Sequence, residues 1–473
     1  MKENPYRQDK EEIRELVRQF ENLKAGRSHT FLDEESFEKI IDHFDDVEDL
    51  QQALEAAEIA VDRYPFSAML HVKKGDILIA TRNYHEALRV LNHAQLLDHN
   101  DINLYILKTD AYLALDQQEK AVELLEYALT LFEGEERIEL LFELADVYDD
   151  YEEFDKIFDC LKIILEEEPT NEEALYKICF WTDFTGRNEE SIKLHQQIID
   201  EFPYNELAWF NLGAAYQGLK LYEKAIDAYQ YAVVIDEKFD YAYRNMGDAY
   251  IRLRKYKDAI EVLEKVLELS RPEDVIYEAI GHCFDRMKNY AQARFYYRKA
   301  SHLNQEDSKL YYKIACTYMN EEQWNMAIKQ LEIAMQINRS HPEFNLAMGE
   351  CKMQLGQFRD AIQNFSLVVR HRPKTASSWE ALIRCLYAGE FFEEALEQID
   401  AARIHTDNKP VFYYYESAIL FAMRKSKQAL IVLEKGLTMA PKLVKRFIEL
   451  DLALLQRQKV VDLISRYRKG KSN

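Results

Sequence analysis

Apolar and small residues recur along the chain with a fixed spacing of 34 residues. Within one such segment, position 4 is aromatic, position 8 is small, position 11 is aromatic or apolar, and position 20 is Ala. Between residues 206 and 239 these positions hold Trp209, Gly213, Tyr216 and Ala225. The next segment repeats them as Tyr243, Gly247, Tyr250 and Ala259. Self-similarity at a fixed period predicts a repeat architecture.

The register defines twelve repeats. It holds without a gap from residue 138 to 443, and three further segments precede a slip of two residues at Glu136 and Arg137. We predict repeats with the following bounds: 34–67, 68–101, 102–135, 138–171, 172–205, 206–239, 240–273, 274–307, 308–341, 342–375, 376–409 and 410–443.

Each repeat is predicted to be a helical hairpin. Positions 4, 7, 8 and 11 follow a three-and-four spacing and so share one face of a first helix, while positions 17, 20, 24 and 27 do the same for a second. Gly213 and Gly247 cost about 1 kcal/mol each relative to Ala inside a helix. That cost is explained if the two helices approach too closely there for a side chain. One hairpin cannot cover its own apolar face, so we expect the repeats to stack.

The pattern W-x2-L-G-x2-Y followed by A-x3-aromatic is met by Trp209, Leu212, Gly213, Tyr216, Ala225 and Tyr229. Over residues 34–443 the chain thus resembles the tetratricopeptide-repeat family, and in particular its bacterial cytoplasmic multi-repeat scaffolds. The resemblance implies an all-α fold, a right-handed superhelical solenoid of about twelve repeats. It also implies a concave groove, lined by first helices, that binds extended peptides or partner helices.

The two ends are predicted to be caps. Residues 1–33 contain an amphipathic helix over residues 8–24, and residues 444–473 contain a further apolar helix followed by a basic tail. Terminal repeats need such polar-backed covers for solubility. Because no Pro-, Gly- or Ser-rich linker interrupts the register, we expect one solenoid, although the length alone would suggest three domains.

Charge is distributed unevenly. The net charge is -23, with a balance of -31 in residues 1–250 and +8 in residues 251–473. One interpretation is that the acidic excess keeps the first half soluble. Another is that it attracts a basic partner over a distance.

Motifs for catalysis, phosphate binding and metal binding are absent from the sequence, so we predict no enzyme activity, no cofactor and no metal site. The basic runs, at residues 252–258 and from Arg466, fall in a turn and at the terminus of an acidic chain, which argues against nucleic-acid binding. Neither a signal-like apolar run at the start nor eighteen consecutive apolar residues occur. We therefore expect a cytoplasmic protein without a membrane span.

Side chains opposite the packed face of each first helix are the candidate binding residues. A step of 100° per residue puts positions 2, 9 and 13 there, with positions 5 and 12 on the flank. Position 9 carries Asp42, Asp76, Asp110 and Asp146 in four consecutive repeats. Position 5 carries Phe142, Tyr176 and Phe210, and position 2 carries Leu207 and Tyr241. The aspartates are also explained as an ordinary exposed helix face, and position 5 as a partly packed flank.

From these patterns we predict a non-catalytic scaffold or adaptor that binds a protein or peptide segment, with a basic partner favoured by the acidic residues. The alternative is a self-assembling protein, a homodimer included, in which end caps or oppositely charged halves of two molecules meet. The sequence does not identify the partner.

Overall fold

The computed structural model describes the backbone of residues 5–27 and 31–469, and the side chains of residues 11–27 and 31–467. Over this part of the chain it contains 27 α-helices, two short 3-10 helices and no strand. The predicted all-α class is therefore confirmed. The chain divides into two compact parts, residues 1–242 and 243–473.

The N-terminal part begins with α1 at Pro5–Lys24. The first helices of its repeats are α2 Glu34–Asp46, α4 Ala68–Ala80, α6 Ile102–Ala114, α8 Glu135–Asp150, α10 Glu172–Thr185 and α12 Glu206–Gly218. The second helices are α3 Leu50–Arg63, α5 Tyr84–Leu97, α7 Gln118–Ala128, α9 Phe154–Glu167, α11 Asn188–Glu201 and α13 Tyr222–Ile235. Each helix from α2 to α12 packs on the next one along the chain.

The C-terminal part repeats this order. Its first helices are α14 Asp240–Arg252, which contains the boundary between the two parts, α16 Asp274–Arg286, α18 Ser308–Asn320, α20 Pro342–Gln354, α22 Ala376–Ala388 and α24 Val411–Ala422. Its second helices are α15 Tyr256–Leu269, α17 Tyr290–Leu303, α19 Trp324–Ile337, α21 Phe358–His371, α23 Phe392–His405 and α25 Ser426–Met439.

Five of the first helices, α2, α6, α10, α12 and α18, begin with the same kind of side-chain cap. The residue before the helix is Asp or Asn, and its side chain accepts a hydrogen bond from a backbone N–H of the first turn. Asn171 and Asn205 do so for the N–H groups of Ala174 (2.9 Å) and Ala208 (2.8 Å). Such caps satisfy backbone donors that a helix start leaves free.

The turn between the two helices has the same backbone in all twelve repeats, which lie within the described range 34–443. Position 15 is left-handed throughout, with φ between 56° and 74°. In two repeats this residue is a glycine, Gly186 or Gly356, which adopts the conformation freely. In the other ten repeats it is a charged residue, such as Lys220 or Arg254. Hydrogen bonds from the backbone N–H groups of Lys220 and Leu221 to the carbonyls of Gln217 and Tyr216 (2.8 and 2.9 Å) close the helix end and outweigh the strain.

Small residues at position 8 let the two helices of a repeat approach closely. A Cβ added to Gly213 would lie 2.6 Å from the ring of Tyr229, and one added to Gly247 would lie 2.7 Å from Leu263. Gly281 and Gly349 face Tyr297 and Phe365 in the same way. The large side chain at position 24 thus fills the space that position 8 leaves empty.

The ends of the chain cover the terminal repeats. Phe20 of α1 is fully buried, with its ring centroid 6.4 Å from that of Phe37 and 6.1 Å from that of Phe44. At the other end the structure has two α-helices, α26 at Val444–Leu450 and α27 at Gln458–Lys469, with 3-10 helices at Pro441–Leu443 and Leu452–Gln456. A single capping helix was expected there. Asp451, whose side chain caps the second 3-10 helix, divides the segment. The predicted basic tail begins at Arg466 within α27. From residue 470 onward it lies outside the described residues.

The close packing at position 8 can be tested with Gly213→Leu. Its side chain would collide with the Tyr229 ring, so we expect a loss of about 1 to 3 kcal/mol or more in the free energy of unfolding. Chemical denaturation followed by circular dichroism measures the change. The control is Ala214→Leu, the same increase in size on the half-exposed neighbour in α12, expected to stay within about 0.5 kcal/mol of the parent. Equal effects of the two substitutions would contradict close approach at Gly213.

Candidate protein-binding surface

First helices of neighbouring repeats contact each other directly in the N-terminal part. The contacts join α2 with α4, α4 with α6, α6 with α8, and α10 with α12. Between α8 and α10 the ammonium group of Lys177 lies 3.9 Å from the Asp146 carboxylate. We call the outward side chains of these helices, at positions 2, 5, 6, 9 and 13, the first-helix surface. Most of the sequence-predicted site residues belong to this surface.

The four predicted aspartates lie along the first-helix surface. Asp42 is half-buried and forms an ion pair with Lys73 (2.6 Å). Asp146 is exposed and lies 3.9 Å from the ammonium group of Lys177. The negative charge of Asp42 raises the pKa of Asp76, and that of Asp76 raises the pKa of Asp110, so the first three aspartates follow one another closely in space.

Glu143 of α8 completes the row and was missed in the sequence analysis. It occupies position 6, which we had not assigned to this surface, yet its carboxylate interacts with those of both Asp110 and Asp146. Asp76, Asp110 and Glu143 form no ion pair with any described residue. We call these three the central acidic row. The three-residue spacing between Glu143 and Asp146 on α8 is the signal that would have revealed it.

The central acidic row carries raised pKa values. Burial raises the pKa of Asp110, and the negative charge of Asp76 raises it further. Burial is also the largest cause for Asp76, to which Asp45 and Asp42 add, and for Glu143, to which Asp110 and Asp146 add. Each carboxylate is therefore less stable in its charged form than it would be in water.

A stripe of exposed aromatic rings follows on α10. Tyr176 is 62% exposed, Phe180 61% and Phe184 57%. They are spaced four residues apart and so lie on the same side of the helix. We call these three residues the aromatic stripe. Only Tyr176 was predicted from the sequence, although Phe180 occupies position 9, the position that holds the aspartates in the preceding four repeats.

Neighbouring rings support the aromatic stripe without covering it. Phe154 of α9 stacks on Trp181 (centroids 5.5 Å apart) and meets Phe184 edge to face (4.7 Å). Trp181 also contacts Phe180 at 4.9 Å. Edge-to-face and stacked contacts of this kind fix ring orientation. The rings of Phe180 and Phe184 are thus held in place before any ligand binds.

The other predicted residues of this surface have more limited roles. Leu207 is only 5% exposed, so its side chain belongs to the packing and the prediction that it lines a binding surface is corrected. Phe142 is half-buried beneath the ammonium group of Lys177, 4.9 Å from the ring centroid. Phe210 is half-buried against Phe239 (5.0 Å), and Tyr241 is 60% exposed. Among the described residues no ring contact joins Tyr176 to Phe210, so the predicted aromatic patch consists of two clusters.

A buried polar network ties α10 to its neighbours. The Asn211 side chain of α12 donates hydrogen bonds to the Leu175 carbonyl of α10 (2.8 Å) and to Nε2 of His195 in α11 (3.1 Å). Nδ1–H of His195 donates to the Ser191 carbonyl (2.8 Å). Burial lowers the pKa of His195 to about 4, so the ring is neutral at physiological pH. This network fixes the helix that carries the aromatic stripe.

Comparison with protein families gives a consistent result. The family described as Tetratricopeptide repeat matches residues 39–99, 184–239 and 346–410. The family described as Tetratricopeptide repeat protein 21 C-terminal ARM domain matches residues 215–347.

This chain belongs to the tetratricopeptide-repeat proteins. The stacked helix pairs and the small residues at position 8 agree with that assignment. In general terms, a tetratricopeptide-repeat protein is a scaffold for protein interactions, and its stacked repeats create extended binding surfaces.

Solved structures of tetratricopeptide-repeat proteins resemble this one only weakly. YrrB, described as a TPR protein with an unusual peptide-binding site, is 18% identical with a TM-score of 0.35, over 40% of this chain and 96% of its own. The APC/C hetero-tetramer Cut9–Hcn1 is 12% identical with a TM-score of 0.36, over 82% of this chain and 97% of its own. The C-terminal part of a TPR repeat-containing protein from Cytophaga hutchinsonii is 15% identical with a TM-score of 0.44, over 54% of this chain and 99% of its own. At these sequence identities and TM-scores, neither a ligand nor a partner of those proteins can be assigned to this chain.

No curated protein matches this tetratricopeptide-repeat sequence significantly. Within residues 5–27 and 31–469, none of the helices combines the length and the apolar character that crossing a membrane requires.

Neutralising the central acidic row should stabilise the folded protein. We expect the triple variant Asp76→Asn/Asp110→Asn/Glu143→Gln to melt at a higher temperature than the parent at pH 7, because burial and mutual repulsion disfavour the three charges. Raised pKa values mean that the folded parent gains stability as the pH falls from 7 through those values. The advantage of the variant should therefore shrink toward pH 4.

Thermal melts at several pH values measure this difference. The matched control is Glu58→Gln/Glu123→Gln/Asp200→Asn, which removes three exposed charges from the second helices α3, α7 and α11. If both variants shift the melting temperature equally, net charge alone explains the effect.

Proposed function

We propose that this protein is a non-catalytic scaffold that holds a segment of a partner protein on the first-helix surface of residues 34–242. One observation carries the proposal: the exposed aromatic stripe on α10 follows, in the next repeat, the first helices whose carboxylates form no ion pair with any described residue. Both features lie on the same layer of helices.

The aromatic stripe has the properties of an anchor for a protein ligand. Three rings that are each more than half exposed leave a contiguous apolar area in water, and contiguous exposed patches mark interaction sites more often than scattered residues do. Aromatic side chains also lose little conformational entropy when a partner covers them. They are therefore frequent among the residues that contribute most to binding.

The C-terminal part lacks this combination on the corresponding helices. Its first helices line an open surface depression of about 430 Å³, with residues that include Arg252, Glu278, His282 and Lys313. There Lys313 forms an ion pair with Glu278, and Arg252 lies 3.4 Å from Asp248. Because opposite charges neutralise each other within that wall, the N-terminal surface is the better candidate for a charged partner.

Self-assembly is the second candidate, favoured by the balances of -31 and +8 in the two halves of the sequence. Opposite charges on two molecules would attract each other at low salt. Light scattering after size exclusion decides it: a monomer at both low and high salt removes self-assembly.

Selection from a random peptide library displayed on phage tests the proposal. Peptides enriched on the parent should bind the triple variant Tyr176→Ala/Phe180→Ala/Phe184→Ala more weakly by about 2 kcal/mol or more, because the rings act as anchors. Isothermal titration with synthetic copies of the enriched peptides measures the loss.

The control removes three apolar side chains that are more exposed than the stripe and lie elsewhere in the same part. Phe66, Tyr204 and Val234 are 85%, 84% and 76% exposed, and their replacement by Ala should leave binding unchanged. Circular dichroism should show full helicity for both variants. Enriched peptides that bind the aromatic-stripe variant as tightly as the parent would refute the proposal.

A further inference from the structure

We propose that the segment bound on the first-helix surface is an extended, polyproline II-like chain. It carries a Lys or Arg at every third residue over the central acidic row, and an apolar side chain at the end that meets the aromatic stripe. This inference rests on the proposed function and specifies the partner that it would take.

The order of groups along the surface fixes the order of groups in the partner. Asp76, Asp110 and Glu143 lie on α4, α6 and α8, and the aromatic stripe lies on α10, the first helix of the next repeat. A segment that crosses these helices in turn meets three carboxylates and then three rings. Cationic residues and an apolar residue at one end complement that order.

The negative charge in the middle of the row is only partly balanced, because Lys73 lowers the pKa of Asp76 and Lys177 that of Glu143 without forming an ion pair with either carboxylate. Lys73 pairs with Asp42 on one side, and Lys177 lies near Asp146 and pairs with Glu173 (2.8 Å) on the other. Between these two lysines the central acidic row makes no ion pair among the described residues. A cation placed there would relieve both the repulsion between carboxylates and the loss of hydration that raises their pKa values.

An anionic or neutral segment would gain nothing comparable. A carboxylate or phosphate near Asp110 would add a further like charge at a position already affected by Asp76. Charge complementarity therefore selects a basic partner, and it excludes nucleic acid from this surface.

The spacing of the helices selects the conformation. Packed helices lie about 8 to 10 Å apart, so we expect Asp76 and Asp110, which both occupy position 9 of contacting helices, to lie at about that interval. A polyproline II chain rises about 3.1 Å per residue with three residues per turn, which returns every third side chain to the same side after about 9 Å. An α-helix rises about 1.5 Å per residue and would need six or seven residues for the same distance.

The test uses fluorescein-labelled synthetic peptides and fluorescence anisotropy. The first peptide has the pattern Lys-x-x-Lys-x-x-Lys-x-x-Phe, with Pro, Ala and Ser at the x positions. The second has the same composition with three adjacent lysines, and the third has Glu in place of Lys. We expect the parent to bind the first peptide at least tenfold more tightly than the second and to show no binding of the third.

Protein variants locate the contact. Asp76→Asn/Asp110→Asn/Glu143→Gln should weaken binding of the first peptide at least tenfold and flatten its dependence on salt, because the attraction is electrostatic. Glu58→Gln/Glu123→Gln/Asp200→Asn has the same net charge and should bind like the parent. Equal weakening by both variants, or equal binding of the two lysine peptides, would overturn the inference.

The outcome separates this inference from the proposed function. If library-selected peptides depend on the aromatic stripe but contain no regularly spaced basic residues, the partner assignment fails and the scaffold proposal stands. If selected peptides ignore the aromatic stripe, the scaffold proposal fails as well.

Discussion

The close approach of two helices within each repeat is the constraint on which the other features depend. A glycine such as Gly213 leaves room for the ring of Tyr229, and both residues become buried in the hairpin. One hairpin still exposes apolar side chains on its flanks, and only a neighbouring repeat can cover them. Stacking is therefore enforced by packing, and the layer of first helices follows from stacking.

Packing leaves a limited set of positions free to vary, and the candidate binding surface uses them. At position 9 the N-terminal part has four aspartates and then Phe180. Burial and neighbouring carboxylates raise the pKa values of Asp110 and Glu143, so the charged forms of these two groups oppose folding. Interior contacts such as the His195 network fix the backbone, so that a binding surface can be built on it without loss of stability elsewhere.

The sequence was sufficient for the features that repeat and insufficient for those that do not. The 34-residue period predicted helix pairs and the role of Gly213, because these depend on local spacing. The period did not predict the left-handed backbone at Lys220, because lysine does not favour that conformation. The backbone hydrogen bonds of the turn, which the sequence pattern does not reveal, fix it instead. Leu207 was misplaced because burial on the flank of a helix depends on the neighbouring repeat. Glu143 was missed because its contacts with Asp110 come from another helix.

A crystal structure of the protein with a library-selected peptide would test the central claim most directly. The account predicts peptide density across α4, α6, α8 and α10, with basic side chains within about 4 Å of Asp76, Asp110 or Glu143 and an apolar side chain against Tyr176 or Phe180. A peptide bound to the second helices, or within residues 243–473, would contradict it.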